Sequence, residues 1–82
     1  MELVAVAPSA MKRGYTEPDI RHAARHPLFT HPPDDEGMVM VVGATAAGQL
    51  LEVGVIRAVD GFVAVHAMPA RQKFLRAPRT RR

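Results

Sequence analysis

The sequence of 82 residues contains no cysteine and no tryptophan, and it has only one tyrosine and three phenylalanines. The absence of cysteine excludes disulfides, thiolate zinc sites and thiol nucleophiles, and it is compatible with a reducing compartment. No stretch has the ~18 consecutive apolar residues of a transmembrane helix, and Glu2 stands where a signal peptide would be basic. We therefore expect a cytoplasmic protein without membrane contact.

Composition indicates one small folded domain. Apolar residues make up 48% of the chain and charged residues 23%, which is typical of a globular protein. A chain of this length buries only about 60% of the surface that its unfolded form exposes, so the core is thin. We predict a single domain over residues 1–76 and a flexible basic tail over 77–82. A homodimer or a bound partner protein would cover part of such a surface.

Positive charge is concentrated at the C-terminal end. Residues 1–70 contain five Lys/Arg and all eight Asp/Glu, whereas residues 71–82 contain six Lys/Arg and no acid. The formal net charge of +3 therefore comes from the end of the chain, and the rest is mildly acidic.

Helix signals occupy the first half of the chain. One helical turn is predicted over 10–13, and a longer helix over 17–25 with Thr16 as its N-cap. Pro27 ends that helix, because proline disfavours helical geometry in the residue before it. The two prolines and three acids of residues 31–37 then predict a loop.

Strand signals follow, over 38–42, 50–58 and 62–68, and residues 3–7 could add an edge strand. A three-residue loop that ends at Gly61 would pair Gly54 with His66. In that register one face of the hairpin holds Glu52, Gly54, Ile56, Ala64, His66 and Met68, and the other holds Leu51, Val53, Val55, Val63, Val65 and Ala67.

A short C-terminal helix is predicted over 69–76, because Pro69 suits the first helical position. The expected fold is therefore α+β, with short N-terminal helices packed on a three- to four-stranded antiparallel sheet, followed by the short C-terminal helix and the basic tail.

Glu52 and His66 are the first candidates for chemistry. In the predicted register they are diagonal neighbours on adjacent strands, close enough for their side chains to meet. A carboxylate holds an imidazole in one tautomer, which is what a general acid or base requires. The alternative is a histidine that is partly buried and paired with an acid for structural reasons only.

A metal site is the weaker alternative for the histidines. His22 and His26 have a ligand spacing on the predicted helix, with His31, Asp34 and Asp35 as further ligands. Nothing fixes the loop acids, so a solvated helix face is favoured, and we expect no metal and no cofactor. The chain also lacks a phosphate-binding loop with its lysine and a G-x-S-x-G nucleophile motif.

Basic side chains in the helical half and near the C-terminus could form a stripe that neutralises RNA phosphates. The alternative is a solvated helix face and a disordered arginine tail. The predicted RNA contacts are Lys12, Arg13, Arg21, His22, Arg25 and Arg76.

Three segments, over 12–20 (KRGYTEPDI), 48–53 (GQLLEV) and 65–68 (VHAM), occur in an order that resembles the BrnT-type toxins. These are small ribonucleases of the RelE-like superfamily from bacterial toxin–antitoxin pairs. The resemblance spans about residues 4–76 and includes the ending His-Ala-Met-Pro before basic residues and an aromatic. Lys12 and Arg13 match the basic pair before the family's glycine.

The resemblance implies helices followed by an antiparallel sheet, metal-independent RNA cleavage, and neutralisation by a cognate antitoxin, for instance of the ribbon-helix-helix type. His66 stands where the family has a small polar residue, and Met68 stands where it has an arginine. No tyrosine follows in the last predicted helix, and the first is shorter. We predict a toxin endoribonuclease, or alternatively an inactive module of the same fold that binds nucleic acid or a protein. The predicted catalytic residues are His66, Glu52, Arg71 and Lys73.

Overall fold

The computed structural model describes residues 1–77, and these form one mixed sheet with one α-helix. The elements in chain order are β1 (Leu3–Val6), a 3-10 turn (Pro8–Met11), α1 (Glu17–Arg25), β2 (Pro27–Thr30), β3 (Val39–Ala44), β4 (Leu50–Ala58), β5 (Gly61–Pro69) and a second 3-10 turn (Gln72–Phe74). The strand order is β1-β5-β4-β3-β2. β1 runs parallel to β5, and all other neighbours are antiparallel.

The predicted fold class is wrong. The domain is mostly strand, with one α-helix on a five-stranded mixed sheet instead of short helices on a three- to four-stranded antiparallel sheet. The turn predicted over 10–13 is a 3-10 turn two residues earlier in the chain. The fold that the BrnT-type resemblance implies is therefore not the one observed. Residues 78–82, most of the predicted basic tail, lie outside the described residues.

The helix predicted over 17–25 is confirmed. Thr16 Oγ1 accepts a hydrogen bond from the backbone N–H of Asp19 at 3.2 Å, and the Asp19 carboxylate accepts one from the N–H of Thr16 at 3.4 Å. This reciprocal pair satisfies two backbone donors that the first helical turn leaves open. Local signals alone therefore set where α1 begins.

α1 packs on one side of the sheet, here called the first face, and the opposite side is the second face. A glycine in β3 permits the close approach, because a Cβ on Gly43 would collide with the backbone oxygen of Ala23 in α1. The core beneath the helix is apolar throughout. It consists of Leu3, Ala10, Ile20, Ala23, Ala24, Val41, Leu51, Val53, Val55, Ala64 and Ala67.

The hairpin of β4 and β5 has the expected register at one end only. Ala58 pairs with Gly61, so the loop is two residues long, one shorter than predicted. A bulge at Val65 inserts an extra residue into β5, and beyond it Gly54 pairs with His66 as predicted. Between loop and bulge the predicted faces are exchanged, since Ala64 is a core residue and Val63 pairs with Ile56.

The C-terminal helix predicted over 69–76 is wrong. Pro69 is the last residue of β5, and only the three residues of the second 3-10 turn are helical afterwards. The backbone N–H of Ala70 donates to the carbonyl of Leu50, and that of Arg71 to the side chain of Glu52. These contacts with β4 hold the chain out of helical geometry, so tertiary structure overrides the local signal.

β2 was not predicted. It is a four-residue edge strand, largely exposed, that begins at a proline and pairs only with β3. So short a strand has neither an alternating pattern nor a hydrophobic run to indicate it. Within residues 1–77, no helix has the length and apolar content needed to cross a membrane.

Candidate functional site

Glu52 and His66 meet on the second face of the sheet. Glu52 in β4 pairs with Met68 in β5, and Gly54 pairs with His66, so the two side chains are diagonal neighbours. The Nε2 atom of His66 lies 3.0 Å from Oε2 of Glu52. The predicted contact between these residues is confirmed, although the loop that was expected to set their register differs.

Arg71 completes the cluster around Glu52. Its backbone N–H donates to Oε1 at 2.9 Å, its Nε to Oε1 at 3.0 Å, and its Nη2 to Oε2 at 2.7 Å. The Glu52 side chain is 0% exposed, whereas those of His66 and Arg71 are 24% and 46% exposed. A buried carboxylate therefore holds two accessible side chains, an imidazole and a guanidinium, at the protein surface. We call these three residues the Glu52 cluster.

Burial and hydrogen bonding act on the pKa of Glu52 in opposite directions. Burial, the largest single influence, raises it, but the hydrogen bonds from Arg71 and His66 and the positive charge of Arg71 together outweigh burial. The pKa of Glu52 is therefore lowered from its ordinary value of 4.5. The hydrogen bond with Glu52 also raises the pKa of Arg71, so this ion pair is charged at neutral pH.

The ionised Glu52 fixes the orientation of the imidazole of His66. An ionised carboxylate only accepts hydrogen bonds, so Nε2 of His66 must carry the hydrogen of their contact. In the neutral imidazole Nδ1 is then the acceptor, and no group among residues 1–77 donates to it. The cluster therefore presents an oriented base whose free nitrogen is Nδ1.

Arg71 also retains a donor group. Its Nε and Nη2 are bound to Glu52, while Nη1 makes no hydrogen bond to the described part of the chain. The guanidinium carbon lies 5.4 Å from the ring centroid of Phe74. Nη1 is thus available to an anion beside the imidazole.

Lys73 is not part of the Glu52 cluster. Its Nζ lies 5.0 Å from the ring centroid of Phe74, and among residues 1–77 it forms no ion pair. The ring of Phe74 therefore contacts two of the three cations in residues 70–77, Arg71 and Lys73. Nε2 of His31 in turn donates a hydrogen bond to the carbonyl of Phe74 at 3.1 Å. From the sequence, Phe74 had no predicted role and His31 was considered only as a metal ligand. No sequence signal indicates a contact between residues 43 positions apart.

The basic residues of α1 lie on the opposite side of the sheet from the Glu52 cluster. Arg21 bonds to Glu17 and to the carbonyl of Leu3, and Arg25 bonds to Glu2. The ring of His22 bonds to a backbone carbonyl of β3. Together with Glu17 and Pro18 these three line an open depression of about 490 Å³.

The predicted basic stripe is therefore divided between two sides of the molecule. Lys12 and Arg13 are exposed just before α1, and Arg76 is exposed after β5. Of the predicted RNA contacts, only Arg76 comes after the Glu52 cluster in the sequence. Two of those in α1, Arg21 and Arg25, form ion pairs with Glu17 and Glu2.

The metal ligands considered from the sequence are not assembled. The rings of His22 and His26 lie 5.0 Å apart. Asp34 Oδ1 accepts hydrogen bonds within its own loop, from the N–H groups of Glu36 and Met38. Over residues 1–77, no three His, Cys, Asp or Glu side chains are grouped as metal ligands.

Comparison of the chain with models of known protein families, with curated proteins and with solved structures gives no match in any of the three. The similarity to BrnT-type toxins thus depends on the three sequence segments alone, and functional interpretation depends on the chemistry of the Glu52 cluster.

Proposed function

We propose that the chain is a metal-independent endoribonuclease, the toxin of a bacterial type II toxin–antitoxin pair. One observation carries the proposal. The buried carboxylate of Glu52 holds His66 and Arg71 side by side at the surface, with Nδ1 of the imidazole and Nη1 of the guanidinium unused within the described residues. Metal-free RNA cleavage needs a base for the 2′-hydroxyl and a cation for the phosphate. The imidazole of His66 and the guanidinium of Arg71 are groups of these two kinds.

His66 is the base of the proposed reaction. Its Nδ1 takes the proton of a ribose 2′-hydroxyl while Glu52, hydrogen-bonded at Nε2, stabilises the imidazolium that forms. The 2′ oxygen then bonds to phosphorus and the bond from phosphorus to the 5′ oxygen breaks. The departing 5′ oxygen takes a proton from water, and the hydroxide that remains takes the proton of the His66 imidazolium. The products are a 2′,3′-cyclic phosphate and a 5′-hydroxyl. Glu52 touches no substrate and is a positioning residue.

Arg71 stabilises the negative charge that builds up on the phosphate. Its guanidinium is held through Nε and Nη2, so the remaining Nη1 is oriented before the substrate arrives. Arg71 thereby takes the role of the family arginine whose position Met68 occupies. The site accordingly acts in the cytoplasm, and a cognate antitoxin, for instance of the ribbon-helix-helix type, would inhibit it.

The first test measures cleavage of single-stranded RNA by the purified protein without added metal. We expect cyclic-phosphate products from RNA and none from the same sequence in DNA, which lacks the 2′-hydroxyl. Replacing the base in His66→Ala should slow cleavage by about 100-fold or more, and Arg71→Met by about 100-fold.

Two matched variants control for the loss of a histidine or an arginine elsewhere. His26 lies just beyond the end of α1. Arg57 in β4 lies over the ring of Phe62 in β5. His26→Ala and Arg57→Met should cleave RNA at the rate of the unchanged protein. If His66→Ala, folded as judged by circular dichroism, cleaves as fast as the unchanged protein, the site assignment is wrong.

A second candidate function is an interaction module that binds nucleic acid without cleaving it. It is favoured by one observation, that within residues 1–77 the Glu52 cluster contains no second acid to protonate the departing oxygen. Such a module would bind RNA with an affinity that falls steeply with salt and release no products. Inducing the gene in bacteria separates the two candidates further. The toxin arrests growth with cleaved RNA and is relieved by its antitoxin, whereas the module leaves RNA intact.

A further inference from the structure

The segment after β5 crosses the second face of the sheet with two anchors. Residues 70–77, here called the C-terminal segment, are tied to β4 through Arg71 and its hydrogen bonds to Glu52. The second anchor is Phe74, whose carbonyl oxygen lies 3.1 Å from Nε2 of His31. Between these anchors the chain makes only one 3-10 turn. The position of its side chains thus depends on both contacts.

His31 is itself fixed to the sheet. Its backbone N–H donates to the carbonyl of Met40 at 2.9 Å, which extends the pairing of β2 and β3 by one residue. Its ring meets that of Phe74 edge to face, with centroids 5.2 Å apart, and that of Phe29 at 6.4 Å. A residue 43 positions away in sequence therefore holds Phe74 by a hydrogen bond and by ring packing.

The ring of Phe74 in turn contacts two cations of the segment, Arg71 and Lys73. The guanidinium carbon of Arg71 lies 5.4 Å and Nζ of Lys73 5.0 Å from its ring centroid. Both distances are within the range of cation–π attraction. Because Lys73 has no ion pair in residues 1–77, the ring is the contact that orders it.

We propose that His31 is a positioning residue that, through Phe74, holds Arg71 and Lys73 as a two-cation site for two phosphates of one nucleic-acid strand. The proposal deepens the proposed function and rests on it for the identity of the ligand. Arg71 receives the phosphate beside His66, and Lys73 receives a neighbouring one. Lys73 is accordingly a binding residue, not a catalytic one.

The test uses thymidine oligonucleotides, which the protein cannot cleave, with one or two phosphodiesters. Binding to the full chain is measured by NMR titration at several salt concentrations. The second phosphodiester should strengthen binding, and it should steepen the salt dependence by about 0.7 in the logarithmic slope. In His31→Ala this gain should disappear, with about a tenfold loss of affinity for the longer probe. Lys73→Met should give the same loss.

Conservative variants separate positioning from folding. His31→Gln keeps an N–H donor within reach of the Phe74 carbonyl and should retain most of the gain. Phe74→Leu keeps apolar bulk but no aromatic face, so it should lose the gain even if His31→Ala fails to fold. His26→Ala is the matched control and should bind both probes like the unchanged protein.

The outcomes for the two proposals are distinct. If the unchanged protein cleaves RNA but His31→Ala and Phe74→Leu keep the gain from the second phosphodiester, positioning by His31 is wrong and the ribonuclease stands. If the gain is present and lost in these variants while no RNA is cleaved, the two-cation site stands and the ribonuclease is wrong. Absence of any gain in the unchanged protein overturns the two-cation site.

Discussion

The two faces of the sheet are closed by different means. On the first face α1 covers a core made only of apolar side chains, among them Ile20, Val53 and Leu51, all 0% exposed. On the second face Glu52 is equally inaccessible, but it is a carboxylate, and the cover is the C-terminal segment. Equal burial thus conceals a difference in chemistry.

The two faces therefore differ in what their burial contributes to stability. Apolar burial stabilises the first face with no need for exact partners, by about 25 cal/mol per Å². An ion pair in the second face has to recover the cost of removing charges from water, and well-packed apolar residues would often do as well or better. Because apolar residues could close the second face equally well, stability alone does not explain the Glu52 cluster, which strengthens the case for a functional role.

Two glycines express the same contrast on a smaller scale. Gly43 in β3 faces α1, and a Cβ there would collide with a backbone atom, the carbonyl oxygen of Ala23. Gly54 in β4 faces the other way, and a Cβ there would lie 2.6 Å from Sδ of Met38 and 3.0 Å from Cβ of His66. One neighbour is rigid and the other is the end of a flexible side chain.

The largest effect is expected for Gly43→Ala. Because α1 must move away from the sheet, the free energy of unfolding should fall by about 3 kcal/mol or more, as measured by urea denaturation. Ala23→Gly, made in addition, should not restore stability, since the collision is with the backbone of residue 23. Restoration by that second change, or a loss well below this value, would mean that α1 is free to shift.

A change of pH should alter what Glu52 on the second face contributes to stability. The unfolded chain binds a proton at Glu52 more readily than the folded one, because folding lowers the pKa of this carboxyl. The carboxylate therefore stabilises the fold above pH 4.5, and this stability is lost as the pH falls below that value toward the lowered pKa. Urea denaturation across this range should show a smaller slope with pH for Glu52→Gln than for the unchanged protein.

The exposed pair of Glu2 and Arg25 provides the control. The hydrogen bond and charge of Arg25 also lower the pKa of Glu2, but Glu2 is 72% exposed. Its contribution should vanish in molar salt, where the screening length is only about 3 Å, while that of Glu52 should persist. Equal sensitivity of Glu2→Gln and Glu52→Gln to salt would contradict the assigned difference between the two pairs.

The smallest loss of stability is expected for Gly54→Ala. Met38 can rotate away, so the free energy of unfolding should fall by only about 1 kcal/mol. The ring of His66 has less freedom, and its contact with Glu52 should weaken, as a change in the ¹⁵N shift of Nε2 would reveal. A loss as large as that of Gly43→Ala would show that the second face is as tightly constrained as the first.

The contact between Glu52 and His66 was predictable from the sequence, for a local reason. Strand periodicity placed Glu52 and His66 on one face, and a bulge at Val65 preserved that outcome although the loop was predicted one residue too long. Arg71 was assigned from its charge alone. Its contact with Glu52 was not predictable, because the helix expected over 69–76 would have directed the chain elsewhere.

The sequence by itself determined α1 and the strands β3 and β4, since a capping box and short apolar runs act over a few positions. Only tertiary structure decided that β1 lies parallel to β5, that β2 is a strand, and that the C-terminal segment crosses the second face. Each of these depends on hydrogen bonds between residues far apart in the chain. Such bonds form only once the sheet brings their partners together, and no local pattern encodes them.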